Sequence, residues 1–190
     1  MVYCTALISG DENASGADDQ RRYIKALESV GSVDTVEYGH YVNRVKRAPL
    51  ATAGANGKPI ITTSTWPVMV QDSSGGPVPG ARFMISHAYR EEKGSDVNLA
   101  SHLLVDVLTG AVDAAIVVSN DSDLAYPTRV ARSHVPVGIV NPSRSPLAGK
   151  LRAQSSDGVG GHWWRPLTAT DFTAHQLPDP SGRYRRPPGW

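Results

Sequence analysis

The chain has 190 residues and a formal net charge of +1. This length suits one domain with an appendage, and the near-neutral charge excludes nucleic-acid binding by bulk charge alone. The single cysteine, Cys4, excludes an intramolecular disulfide and a cysteine-based zinc cluster. The opening residues lack a basic leader, and no apolar run approaches the roughly 20 residues of a membrane span. We therefore expect a cytoplasmic protein without membrane association.

Strands and helices are predicted to alternate along the first half of the chain. Tyr23, Ile24 and Leu27 recur at helical spacing behind Asp18 and ahead of the stop signal Gly31. A Gly- and Pro-rich stretch follows later and predicts a β-hairpin-like insertion. The predicted elements are a strand over 2–8, a helix over 17–30, strand pieces over 33–38 and 40–45 broken at Gly39, an insertion over about 46–80 with an extended segment over 60–70, and a strand over 82–89.

The second half begins with a clear amphipathic helix, predicted from residue 95 or 96 to 109. Val97, Leu104 and Leu108 belong to its apolar stripe, and Gly110 ends it. Further on, strands are predicted over 114–118, 135–140 and 162–167, and helices over 124–133, 145–153 and 172–176, with a cap at residues 168–171; a Pro- and Arg-rich tail from 177 need not pack. This alternation predicts an α/β fold with a mostly parallel sheet.

Acidic residues follow the central predicted strand and also begin the amphipathic helix. Asp121 and Asp123 come directly after strand 114–118, at the carboxyl end where α/β proteins bind ligands. Asp96 lies at the start of the helix, and packing that helix on the sheet could bring the three carboxylates together. Taken singly, each has a simpler role, Asp96 as a helix cap and the other two as turn residues or caps.

Three clustered carboxylates would raise one another's pKa, and a hard divalent cation would remove that cost. Mg²⁺ or Mn²⁺ suits oxygen ligands of this kind. Such an ion can activate water and clamp a phosphate oxygen, which is the chemistry of phosphodiester hydrolysis. The acidic residues therefore favour a metal-dependent hydrolase.

Two segments make this pattern more specific. Residues 91–100 read Glu-Glu-Lys-Gly-Ser-Asp-Val-Asn-Leu-Ala, and residues 117–124 read Val-Val-Ser-Asn-Asp-Ser-Asp-Leu. Together they resemble the NYN family, the LabA-like branch of the PIN-like nucleases, and the resemblance extends from residue 2 to about 140. The late Gln-Leu-Pro-Asp-Pro and Arg-Arg-Pro-Pro-Gly-Trp segments look like tails of bacterial members. The resemblance implies a Rossmann-like PIN/NYN fold, with a mostly parallel central sheet flanked by helices, over 1–155, and a C-terminal extension over 156–190.

The resemblance also implies site residues. Asp96, Asp121 and Asp123 match the acidic metal-site positions of the family, which cleaves RNA with a metal ion. Ser119 matches the small hydroxyl residue that opens the acidic turn, and Asn120 stands where glycine is common. These five residues are the predicted metal and substrate site.

The front of the chain departs from the family pattern. Members open with a central strand ending in a metal-binding Asp, whereas residues 1–6 here match their second strand. Asp11 and Glu12 follow the wrong strand to substitute for that Asp. Three explanations fit: an internal recorded start, a strand supplied by another chain, or a degenerate remnant. We favour the first, because the other three carboxylates are present.

Basic residues offer candidate contacts to RNA. Arg44, Lys46 and Arg47 lie close to Tyr41, so they could contact phosphates while the ring stacks on a base. A solvated strand edge is an equally good interpretation of this cluster. Lys93, next to the acidic residues, could pair with a carboxylate or reach a phosphate.

The sequence thus predicts a metal-dependent endoribonuclease that acts on single-stranded or structured RNA with Mg²⁺ or Mn²⁺, and a homodimer is compatible with it. One alternative is a non-catalytic RNA-binding or protein-interaction module on the same fold. Another is a nucleotide-sugar transferase that holds Mn²⁺ through Asp-Ser-Asp. Metal-dependent turnover of RNA would separate the first function from the other two.

Overall fold

The computed structural model describes residues 1–10, 13–63 and 69–189. They divide into two units, one made of Met1–Tyr41 and Glu92–Trp190 and the other of Val42–Glu91. Asp11, Glu12 and the middle of the predicted extended segment over 60–70 lie outside the described residues. No helix in the described ranges is long and apolar enough to cross a membrane.

The described residues form both helices and strands, which is compatible with the predicted α/β class. In chain order the elements are β1 (Val2–Ala6), α1 (Ala14–Ser29), β2 (Thr35–Pro49), β3 (Ala51–Ala53), β4 (Pro59–Ile61), β5 (Met84–Lys93), α2 (Ser95–Leu108), β6 (Ala115–Val118), α3 (Ala125–Arg132), β7 (Val137–Asn141), β8 (His162–Pro166) and α4 (Ala169–Ala174).

The best-buried strand of the first unit is β7, which lies at the centre of the parallel sheet β6–β7–β8. The central strand β7 aligns Ile139 with Val117 of β6 and with Trp164 of β8, and all five β7 residues are buried. Leu103 and Val107 of α2 belong to the same core cluster. A strand covered on both sides needs the continuous apolar run seen here. This sheet therefore fixes where β6 ends and the acidic turn begins.

The predicted single central sheet is not what the described strands form. They make a second three-stranded sheet in the order β1–β2–β5, in which β1 and β2 are parallel. β1 pairs with β2, β6 pairs with β7, and no hydrogen-bonded ladder joins β1 to β6 within the described residues. Helix α2 contacts both β1 and α3, so it lies against elements associated with each sheet.

Strand β2 continues through Gly39, where the sequence predicted a break. Gly39 pairs in register with Ala6. A Cβ at this position would come within 2.5 Å of the Lys93 carbonyl oxygen and 2.8 Å of Ser95 Oγ. The glycine therefore permits a close approach of β2 to the turn that precedes α2, rather than ending the strand.

The second unit contains a short antiparallel hairpin inside the stretch predicted as an insertion. Strands β3 and β4 pair Ala51 with Ile61 and Ala53 with Pro59. Nearer the ends of this unit, Lys46 Nζ lies 3.5 Å from the centre of the Tyr89 ring.

One prediction for the last third of the chain is wrong. The helix expected over 145–153 is only a 3₁₀ turn, Gly149–Leu151, because Pro146 and Gly149 both disfavour an α-helix. The tail packs: Ser181 and Pro187 are buried, and a cavity of about 420 Å³ is lined by the tail together with α1 and α4. The predicted cap is confirmed, since Thr168 and Asp171 form a reciprocal capping box at the start of α4.

Candidate functional site

The acidic turn is built directly on the end of β6. Ser119 N donates to Val140 O at 3.0 Å and so extends the ladder with β7 by one residue. Asp121 N then donates to Ser119 Oγ at 3.1 Å, and Asp123 N donates to Asp121 Oδ1 at 2.8 Å. Leu124, 1% exposed, fixes the far side of the turn in the core. Asp121 therefore caps the turn, and its Oδ2 accepts no hydrogen bond from the described residues.

Asn120, predicted to contact substrate, has its amide occupied by the chain itself. Its Nδ2 donates to Ser143 Oγ at 3.1 Å and to Pro146 O at 3.2 Å. Its Oδ1 accepts from Ala148 N at 2.8 Å. These bonds tie the acidic turn to the loop after β7, so the side chain acts as a positioning group for the turn.

Helix α2 begins at a turn that places Asp96 in its first turn. The residue before the helix, Gly94, adopts φ 101°, a left-handed conformation that favours glycine. Glu92 Oε1 accepts from Ser95 N at 3.1 Å and from Ser95 Oγ at 2.8 Å. Asp96 is therefore not the helix cap, and its carboxylate accepts no hydrogen bond from the described residues.

The three predicted carboxylates lie within electrostatic reach of one another. Asp96 is an exposed residue, but partial desolvation of its carboxyl group raises its pKa above its usual range, and the charges of Asp121, Glu92 and Asp123 raise it further. Burial also raises the pKa of the Cys4 thiol on β1, with Glu37 and Asp96 adding to the effect. All three charges that shift the pKa of Asp96 among the described residues are therefore carboxylates.

The structure adds Glu92 to the predicted set. It lay in what looked like an ordinary solvated charge run, Glu-Glu-Lys. The signal that could have revealed it is its position three residues before Ser95, from where a carboxylate can accept from the backbone N–H groups at a helix start. Glu92 thus both holds the helix start and adds negative charge beside Asp96.

The four carboxylates form an open group, here called the acidic edge, rather than a closed set of metal ligands. Its members are Glu92, Asp96, Asp121 and Asp123. Among the described residues, no three His, Cys, Asp or Glu side chains lie close enough together to hold one ion. The donors present are oxygens, as Mg²⁺ and Mn²⁺ prefer, and Mg²⁺ is commonly bound by one or two carboxylates with water completing its shell. The donor chemistry therefore fits a hydrated hard cation.

The basic residues predicted to contact RNA lie on two different strands, β2 and β5. Lys93 is the last residue of β5 and is exposed. Arg44 and Arg47 are exposed on the part of β2 that belongs to the second unit, and their spacing of three turns them to opposite faces of the strand. Between them, Lys46 contacts Glu91 at 3.8 Å. The predicted basic cluster is therefore not a single surface.

Comparison with known proteins leaves the family open. No family model matches the chain, and no solved structure matches it. Over 92 residues the chain is 39% identical to the 6-hydroxy-3-succinoylpyridine 3-monooxygenase HspA of Pseudomonas putida (strain DSM 28022 / S16). The match covers 46% of this chain and 28% of that protein, so the chain spans less than a third of the length of this relative.

Proposed function

We propose that the protein is a metal-dependent endoribonuclease of the NYN/PIN-like class. The observation that carries the proposal is the acidic edge, where the charges of Asp121, Glu92 and Asp123 act on Asp96 and raise its pKa. Such a concentration of like charge opposes folding, and a bound cation would offset that cost. The parallel pairing within both sheets supports a Rossmann-like arrangement.

Each residue of the edge has a distinct part in this proposal. One or two of the carboxylates Asp96, Asp121 and Asp123 would hold Mg²⁺ or Mn²⁺, with water completing the shell. When bound, the ion would supply activation of water and neutralisation of phosphate charge. Ser119 and Asn120 hold the acidic turn in place through the hydrogen bonds described above. Glu92 holds the start of α2 by accepting a hydrogen bond from Ser95 Oγ.

One basic residue would serve the substrate. We assign Lys93, which directly follows Glu92, to a backbone phosphate of the RNA, because it is exposed and cationic. Arg44 and Arg47 are exposed on opposite faces of β2 in the second unit, so we do not assign them to this site. Phosphate contacts carry affinity rather than sequence preference, so the proposal covers single-stranded or structured RNA in general.

The proposal is tested by incubating the protein with single-stranded RNA and Mn²⁺ and comparing cleavage by the wild type with that by Asp121→Asn. We expect the variant to cleave at least about a hundredfold more slowly, because a charge-bearing ligand at a catalytic ion is lost. Asp113→Asn is the matched control, since Asp113 is exposed and precedes the same strand at its opposite end. It should cleave like the wild type.

Two outcomes of this assay would contradict the proposal. Equal cleavage by wild type and Asp121→Asn would remove Asp121 from the site. RNA binding that persists in EDTA with no cleavage under any metal would favour a non-catalytic RNA-binding module on the same fold, in line with the absence of a closed three-ligand group in the described residues.

The similarity to HspA favours a second candidate function, oxygenation of a substituted pyridine. It rests on 39% identity over a segment that is 28% of the relative, so most of that enzyme has no counterpart in the match. Oxygen uptake that depends on 6-hydroxy-3-succinoylpyridine and a nicotinamide reductant, together with no cleavage of RNA, would favour this candidate over the nuclease.

A further inference from the structure

A second charged region lies at the end of α3, beside residues 150–158. A cavity of about 440 Å³ opens there, which is within the size range of small-molecule sites. The charged residues that line it are four cations and one carboxylate, in a chain whose net charge is only +1. They are Arg129, Arg132, Lys150, Arg152 and Asp157.

Two polar side chains in the wall of this cavity are buried without a partner. Arg132 is 6% exposed, and its Nε and Nη2 have no hydrogen-bond partner in the part of the chain that the structure describes. Thr128 is 2% exposed, and its Oγ1 is likewise unpaired among those residues. Buried polar groups are normally hydrogen-bonded, and leaving a cation unpaired is the costlier case. Both groups therefore lack an acceptor.

The surrounding chain holds this arrangement in place without neutralising it. Gly158 has φ 75°, and a Cβ there would overlap Arg132. Only glycine therefore allows the backbone to pack this closely against the arginine. Asp157, the only carboxylate among the described lining residues, already accepts from Gln154 N at 2.7 Å. Burial lowers the pKa of Arg132, and the charge of Asp157 acts in the opposite direction without cancelling that effect.

We propose that this cavity binds the phosphate group of a phosphorylated ligand. Guanidinium groups match phosphate oxygens with paired hydrogen bonds, a lysine adds a point charge, and a threonine hydroxyl adds a donor. None of the lining residues belongs to the acidic edge, so the site goes beyond the proposed nuclease and can be tested without any metal.

The test is calorimetric titration with inorganic phosphate in EDTA at constant ionic strength. We expect saturable binding by the wild type and at least tenfold weaker binding by the double variant Lys150→Gln/Arg152→Gln. Both positions are exposed, so the double variant should fold normally, which its thermal unfolding midpoint checks. Arg144→Gln removes an exposed arginine outside the cavity and should bind like the wild type.

A third variant predicts a change in the opposite direction. Asp157→Asn removes the negative charge from the lining, and we expect it to bind phosphate about threefold or more tightly. Absence of saturable binding by the wild type, or equal affinity in the wild type and the double variant, would overturn the proposal. So would weaker binding by Asp157→Asn with an unchanged unfolding midpoint.

Two sources could supply the phosphate, a small phosphorylated molecule or the end of an RNA chain. A 5′-phosphorylated oligoribonucleotide and its 5′-hydroxyl counterpart distinguish them in the same titration. Tighter binding of the phosphorylated oligonucleotide, lost in Lys150→Gln/Arg152→Gln, supports an RNA end as the ligand. Saturable binding of inorganic phosphate with no difference between the oligonucleotides supports a small molecule.

Discussion

The two ends of helix α3 carry opposite charge. Asp121 and Asp123 lie in the turn that leads into the helix, while Arg129 and Arg132 occupy its last turn. Eight residues of α-helix separate the ends by about 12 Å. Both placements agree with the helix dipole, which favours negative charge at the start and positive charge at the end. The dipole explains the sign of each cluster, but neither the crowding of carboxylates at one end nor the buried arginine at the other.

The ends differ in how their charge is exposed. The carboxylates lie on an open edge, where an incoming cation could keep part of its water shell. Arg132 is buried in the wall of an open cavity, where an incoming anion would first meet the exposed side chains of Lys150 and Arg152. Our two proposals thus place a cation site at the start of one helix and an anion site at its end, and each end should respond to its own ligand alone.

Among the substitutions that should affect one end of α3 and not the other, we expect the largest effect from Gly39→Ala. The added Cβ meets the Lys93 backbone and Ser95 Oγ, so the turn before α2 must move, which costs about 2 kcal/mol of stability. Mn²⁺ affinity should fall because Asp96 moves with that turn, while phosphate affinity at the other end of α3 should stay unchanged. Urea unfolding measures the loss of stability, and separate titrations with Mn²⁺ and with inorganic phosphate measure the two affinities.

Gly149→Ala is the control for that substitution, because nothing lies within 4 Å of a Cβ built there. It should change stability by less than about 0.5 kcal/mol. A Gly39→Ala protein with wild-type stability and wild-type Mn²⁺ affinity would show that the close approach does not position Asp96.

A smaller effect, of opposite sign, is expected from Asp96→Asn in metal-free buffer. The raised pKa means that the ionised carboxylate opposes folding, so wild-type stability should fall as the pH rises from about 4 through the pKa of folded Asp96. Above that range the variant should be more stable by about 0.5 kcal/mol, after allowance for solvent screening. Thermal unfolding in EDTA at several pH values measures the difference.

That gain should disappear when Mg²⁺ is added, because the cation would stabilise the wild type and not the variant. A variant that is less stable than the wild type in EDTA at pH 7 would contradict the like-charge account of the acidic edge.

Much of the local structure could be predicted from apolar spacing and caps, and the larger arrangement could not. The stripe of α2, the apolar run of β6 and the Thr168–Asp171 cap are short-range patterns, and each element formed within a few residues of its predicted bounds. The single central sheet failed because strand pairing depends on neighbours distant in sequence. Gly39 was misread for the same reason, since its need for glycine comes from residues 92–95.

The residues of the candidate sites also differ in whether a local sequence signal marks them. Asp96, Asp121 and Asp123 could be picked out because a strand end and a helix start mark them locally. Glu92 looked like part of a solvated run until its bonds to Ser95 placed it. The unpaired Arg132 carried no signal in the sequence, because its burial depends on how the 150–158 segment folds over the end of α3.

The central claim is that the acidic edge binds a divalent cation, and the most direct measurement is the electron paramagnetic resonance signal of free Mn²⁺. Titrating Mn²⁺ into the wild type should deplete that signal saturably, and Asp113→Asn should do the same. The double variant Asp121→Asn/Asp123→Asn should leave at least tenfold more Mn²⁺ free at matched concentrations. Equal depletion by the wild type and the double variant, or none by either, would contradict the claim.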